Sequence, residues 1–250
     1  MKSLICLLCL FLLSCGKEEV KKVVFEDRDP YPDNRHRTNP IPPIPPIHSN
    51  PNASRYQDID SIIKNTYQPV FSRKGLSLSI RMVGADIGNG VKGAATRKEG
   101  NTIAIVIDDK LQHQVSKAGY ALILCHEVGH YVAGEPYRSG GISAEGQADY
   151  WAMRACLGRI INQIEANSGG VGQQLCRGNQ VCAKMANAGE EVGQWLNMII
   201  GSHQRVSILN EDRNTVYRTN VMYPSVQCRL QTFKNAIFNR PRPRCWYAGG

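Results

Sequence analysis

The sequence predicts an α+β domain. Two strand-patterned segments come early and are followed by several helix-patterned ones, so strands and helices fall in separate blocks instead of alternating. Of the 250 residues, 42% are hydrophobic and 20% charged, ordinary values for a globular chain. No apolar run reaches the roughly eighteen residues of a membrane span, and no internal repeat is visible. Collagen, a coiled coil and a polytopic membrane protein are thereby excluded.

The elements follow from periodicity. Residues 55–71 carry Ile59, Ile62, Ile63, Tyr67 and Val70 at helical spacing. Residues 76–83 alternate Leu76, Leu78, Ile80 and Met82, the period of a strand. Residues 101–107 are rich in Ile and Val and follow the turn Glu99-Gly100-Asn101, which reads as a second strand. A helix over 115–133 has Ser116 as its N-cap and Gly134 as its stop, and a second helix covers 143–157. Helical turns recur over 192–200 and 226–238. The expected architecture is a small antiparallel or mixed sheet packed on helices, with the helices over 115–133 and 143–157 side by side.

The N-terminus reads as an address. Lys2 supplies a positive charge, residues 4–13 are almost wholly apolar, and the run ends Leu12-Leu13-Ser14-Cys15-Gly16. This resembles the bacterial lipobox, which implies cleavage after a 14-residue signal and lipidation of Cys15. Residues 15–54 read as a tether: Pro40, Pro42, Pro43, Pro45, Pro46 and Pro51 favour extended polyproline II, a semi-rigid spacer. The folded domain then spans 55–250.

The chemistry lies on the two central helices. His126-Glu127-Val128-Gly129-His130 is an H-E-x-x-H motif. Residues four apart share a helix face, so both imidazoles can reach one metal ion while Glu127 reaches a water beside it. The flanks Ala121-Leu122-Ile123-Leu124, Val128 and Val132 make this helix a buried one, and buried histidines need partners or a metal. The extended form with glycine at 133 and histidine at 136 is rejected, because Ala133 and Pro136 stand there. The next helix offers Glu145 and Asp149 on one face, brought back by a connection containing Gly140-Gly141. One acid can bind metal, while the other orients a ligand histidine. A solvated acidic face is the plain alternative.

His126-Glu-x-x-His130 followed by Glu145-x-x-Ala148-Asp149 resembles the gluzincin zinc peptidases, and among them the HtpX and CAAX prenyl protease family. The resemblance covers chiefly residues 116–160. It implies a helical zincin core, Zn2+ as cofactor, Glu145 as third ligand and Asp149 as the carboxylate orienting a ligand histidine. A fainter similarity follows at Tyr223-Pro224 and Arg229-Leu230, where the family commonly has His-Pro and then Arg with an aliphatic residue. Tyrosine replaces that histidine here. The two named branches carry transmembrane helices, which this sequence lacks.

The implied function is that of a lipid-anchored zinc endopeptidase of the bacterial cell envelope. A metal polarises water and the scissile carbonyl, and Glu127 takes the water's proton and passes it to the leaving amine. Tyr223, Arg229 and His203 are the candidates for stabilising the oxyanion, and the strand over 101–107 is the expected edge for pairing an extended peptide. The competing reading is a noncatalytic lipoprotein that uses the same domain as a structural or binding module; an amidase acting on a nonpeptide substrate is a further alternative.

Nine cysteines complete the picture. Cys6 and Cys9 leave with the signal and Cys15 takes lipid. Cys125, Cys156, Cys176, Cys182, Cys228 and Cys245 remain as disulfide candidates with the pairing open, no C-x-x-C spacing favouring thiolate zinc. The net charge of +9 is concentrated at the end, since residues 213–250 hold seven basic residues and no acidic one. A solvated basic tail is the plain reading, with contact to anionic lipid or envelope polymer next. No nucleic-acid motif accompanies it. The expected partners are a peptide or protein substrate and a membrane reached through lipid on Cys15. Gly16 after that cysteine leans towards the outer membrane, by analogy with lipoprotein sorting.

Overall fold

A computed structural model describes residues 55–84 and 93–250. The signal-like segment, Cys15 and the proline-rich tether lie outside the described residues. The chain is an α+β fold, with a three-stranded mixed sheet against a larger helical body.

Helix α1 (Gln57–Ser72) buries Ile59, Ile63, Tyr67 and Phe71, the apolar stripe its spacing predicts. Strands β1 (Ser77–Val83), β2 (Ala94–Glu99) and β3 (Thr102–Asp108) form a sheet in the order β1-β3-β2. β1 runs parallel to β3, and β2 runs antiparallel to it across a Gly100–Asn101 hairpin. The strand expected to offer a free edge is therefore the central one. Its Ile103, Ile105 and Ile107 are fully buried, as the Ile-rich run of a strand flanked on both sides should be. The outer strands are β1, packed on α1, and β2, whose Ala-Ala-Thr-Arg-Lys-Glu sequence carries little strand propensity.

After the single turn α2 (Leu111–Gln114), helix α3 (Lys117–Val132) starts at Ser116, whose hydroxyl accepts the Gly119 N–H, and its stop residue Gly134 has φ +79°. α3 is buried almost all round, as an internal helix must be. Helix α4 (Glu145–Trp151) is shorter than its expected span. The chain continues as a π-helical stretch over Ala152–Leu157, then as α5 (Gly158–Ile160). Helix α6 (Gly170–Cys176) precedes α7 (Gln180–Ile199), which begins twelve residues before the expected turn at 192. The buried face of that half is mostly small residues, Ala183, Met185, Ala186, Ala188 and Gly189, and a Cβ on Gly189 would meet Met153 at 3.1 Å and Phe233 of α8 (Val226–Ile237) at 3.4 Å.

The basic C-terminus is no solvated tail. Trp246 is fully buried, and its indole lies where a Cβ on Gly146 of α4 would be. The Trp246 carbonyl accepts the Asn220 N–H, and Arg242 donates to the Gln147 side chain and the Glu135 carbonyl. Arg242 also lies 3.7 Å over the Tyr247 ring. Three of the seven basic residues from 213 onwards, Arg229, Lys234 and Arg242, thus serve internal contacts, while Arg213, Arg218, Arg240 and Arg244 remain exposed.

All six cysteines among the described residues are paired, as Cys125–Cys156, Cys176–Cys182 and Cys228–Cys245, with Cα separations of 5.6, 5.7 and 5.8 Å. Among the described residues no helix is long and apolar enough to cross a membrane.

Candidate metal centre

Helices α3 and α4 cross closely enough to bring their functional side chains together. A Cβ on Gly129 would sit 3.1 Å from the Ala148 carbonyl oxygen and 3.2 Å from the Trp151 ring, tighter than ordinary contact. Glycine between the two histidines is what permits that approach.

The donor atoms then converge. His126 and His130 are one helical turn apart, with ring centroids 4.7 Å from each other. His126 Nε2 lies 3.2 Å from Glu145 Oε2, and His130 Nε2 lies 3.7 Å from Glu145 Oε1. One donor atom from each of the three residues falls within 4.8 Å of the others, and all three residues are buried. Donors about 2.0–2.1 Å from a tetrahedral ion are about 3.3 Å from one another, so this spacing suits one small metal ion.

Both rings are turned by the same device. His126 Nδ1 is 2.8 Å from Asp149 Oδ1, and His130 Nδ1 is 3.0 Å from the Ser143 carbonyl oxygen. Each Nδ1–H donates to its partner, which turns each Nε2 towards Glu145. Asp149 is in turn gripped by Arg229, whose Nε and Nη2 both donate to it at 2.7 Å.

The charges are tightly linked. Burial penalises a charge on His126, but Asp149, helped by Glu145, outweighs it and lifts the imidazole from 6.5 to about 10. Burial and the neighbouring His126 push His130 down. Burial opposes ionisation of Glu145, yet His126 and then His130 hold its carboxyl well below the usual range. Burial likewise opposes ionisation of Asp149, and Arg229 foremost, then His126, holds it down.

A linkage follows for the metal-free protein. The raised His126 contributes stability that is fully present below 6.5 and is lost as pH rises through about 10. A metal must displace that proton, whereas His130 and Glu145 are already in their ligand forms. Metal affinity is therefore expected to rise about tenfold per pH unit between 6.5 and about 10, with one proton released per ion. Calorimetry in buffers of different ionisation enthalpy measures that proton, and a release of zero refutes the charged His126.

The remaining sequence candidates sit elsewhere. Arg229 lies on the Nδ1 side of His126, its Nη2 3.5 Å from that nitrogen, so it backs the ring and points away from the converging donors. Tyr223 is 66% exposed and makes no hydrogen bond within the described residues. Two residues before it, the Val221 carbonyl faces the Glu145 N–H at 3.5 Å. His203 is exposed on the segment after α7, and no contact joins it to the centre.

Three participants carried no sequence signal. Ser143 and Arg138 belong to the turn between α3 and α4, closed by a bridge between Tyr137 and Ser143 and bent through Gly140 and Gly141, both at positive φ. Arg138 Nη1 donates to Glu145 Oε1 at 2.7 Å. Thr96 on β2 donates to Glu127 Oε2 at 2.5 Å. Gly140-Gly141 was the one local hint that this turn brings the helices back together. A second grouping, Asp212 with Cys228 and Cys245, offers no thiolate, because those sulfurs are bonded to each other.

In comparisons with known proteins, no family model, curated sequence or solved structure matches the chain.

Proposed function

We propose that the protein is a zinc-dependent endopeptidase, similar in its site to the gluzincins and held in the bacterial cell envelope by lipid on Cys15. The observation that carries the reading is the convergence of His126, His130 and Glu145 on one metal-sized point, with the Glu127 carboxylate near enough for its charge to act on His130. Two imidazoles and one carboxylate are the donor set of catalytic zinc, which leaves a position open. Zinc held there supplies Lewis acidity to a water and to the scissile carbonyl.

The chain's own residues supply the rest. Glu127 Oε2 is engaged by Thr96, whereas Oε1 accepts no hydrogen bond within the described residues. Glu127 takes a proton from the attacking water and delivers it to the leaving nitrogen. Asp149 and Ser143 keep both ligand imidazoles in one tautomer. An extended peptide pairs along β2 in place of the central β3, since no further strand pairs with β2 among the described residues. Tyr223, two residues after the Val221 carbonyl that faces Glu145, is the candidate for the oxyanion contact.

The test uses metal content and cleavage of a mixed peptide library by the wild type and Glu127→Gln. Stoichiometric zinc in both proteins, with cleavage reduced about 10²–10⁴-fold in the variant, is the expected result. Zinc without any Glu127-dependent cleavage supports the noncatalytic module instead.

A further inference from the structure

We propose that Thr96 is the positioning residue of the general base, and that it ties the base to the strand on which substrate pairs. The inference rests on the reading of Glu127 as that base.

The Thr96 hydroxyl has one proton and two acceptors in reach, Glu127 Oε2 at 2.5 Å and the Glu127 backbone carbonyl at 3.2 Å. Both belong to the same residue, so whichever bond forms, the proton is committed to Glu127. A hydroxyl-to-carboxylate bond is among the stronger kinds, and a β-branched side chain on a strand has little rotamer freedom to lose. Thr96 is also the one β-branched residue in Ala94–Glu99, preceded by the small Ala94 and Ala95. It is therefore the side chain of β2 best suited to hold a fixed direction towards α3.

Fixing Oε2 leaves the carboxylate a single free oxygen and a single orientation. Without the bond, Glu127 can rotate about its last torsions and spend its charge on the neighbouring His130. The backbone of Thr96 is set by its register with Ile105 on β3, so the direction of the base is inherited from the sheet. A peptide added to the outer edge of β2 orders the strand that carries Thr96. Substrate docking and orientation of the base thus run through one residue, with no contact between substrate and Glu127 needed beforehand.

Two substitutions test this in the full chain. Thr96→Val keeps the shape and removes the hydroxyl, and Thr96→Ser keeps the hydroxyl. Thr96→Val is expected to lower kcat about 10–100-fold, with KM and bound zinc unchanged, and Thr96→Ser to recover most of that loss. In parallel, metal-free protein is melted in a double-mutant cycle. Thr96→Val should lower Tm by about 3 °C or more beside Glu127 and by clearly less in the Glu127→Ala background. Wild-type kcat in Thr96→Val, while Glu127→Gln is inactive, overturns the inference and leaves the proposed function standing. Loss of zinc in step with loss of kcat overturns it in favour of a general packing role. If Glu127→Gln cleaves normally, the proposed function fails and the link to catalysis falls with it. If no peptide is cleaved, the melting cycle decides: equal Tm shifts in the two backgrounds overturn the bond.

Discussion

Replacing Asp149 by Ala is expected to cost about 3–5 kcal/mol of folding stability and about 10–100-fold in zinc affinity. Asp149 is fully buried and accepts three bonds, from His126 Nδ1 and from Arg229 Nε and Nη2. Removing it leaves a buried guanidinium without its counter-charge and an imidazole without its orienting partner. The two losses have different origins and can be separated. Replacing Asp149 and Arg229 together by Leu and Met removes the unpaired charge, so most of the stability should return, because buried ion pairs are often matched by apolar residues of similar volume. Zinc affinity should not return, because nothing then holds the His126 tautomer. Denaturant unfolding and chelator competition on the single and double variants measure both. Parallel recovery of stability and affinity would show that Asp149 serves the fold alone.

What could be read from the sequence depended on whether the information was local. The H-E-x-x-H spacing and the Glu145/Asp149 pair are statements about one helix face each, and helical geometry converts them directly into position. The N-cap Ser116 and the stop Gly134 were legible for the same reason. Strand β2 was not legible, because Ala-Ala-Thr-Arg-Lys-Glu is extended only through its pairing with β3, a nonlocal cause that propensity cannot report. That omission also misplaced the free edge, which in turn hid Thr96. Arg138 and Ser143 were invisible for a related reason: their role is fixed by where a turn returns, which no spacing encodes. The C-terminal segment misled through composition. Its arginines and prolines suggest solvation, while Trp246 and the Cys228–Cys245 bridge bind it to α4 and α8. Half of α7 was missed because glycine and alanine, not large apolar residues, form its contact face.

The second large effect is expected at the Cys125–Cys156 bridge. Its 31-residue separation exceeds the 17 of Cys228–Cys245 and the 6 of Cys176–Cys182. Chain entropy then ranks the losses on replacing each pair by Ala at about 4, 3 and 2 kcal/mol respectively, since longer loops restrict the unfolded chain more. Both sulfurs of the first pair are fully buried, so cavity formation adds to its loss. The position of this bridge matters as much as its length. It leaves α3 one residue before His126 and rejoins the chain in the π-helical stretch beyond Asp149. Every proposed metal ligand, the base and the orienting residues Ser143 and Asp149 therefore lie inside one covalent loop. The other two bridges enclose none of them. Loss of Cys125–Cys156 should thus weaken zinc binding about tenfold or more as well as stability, whereas loss of Cys176–Cys182 should lower stability alone. Unfolding curves and zinc competition on the three double-Ala variants decide the matter. If zinc affinity instead falls in proportion to stability whichever bridge is removed, the centre is held by the fold as a whole and not by the loop that contains it.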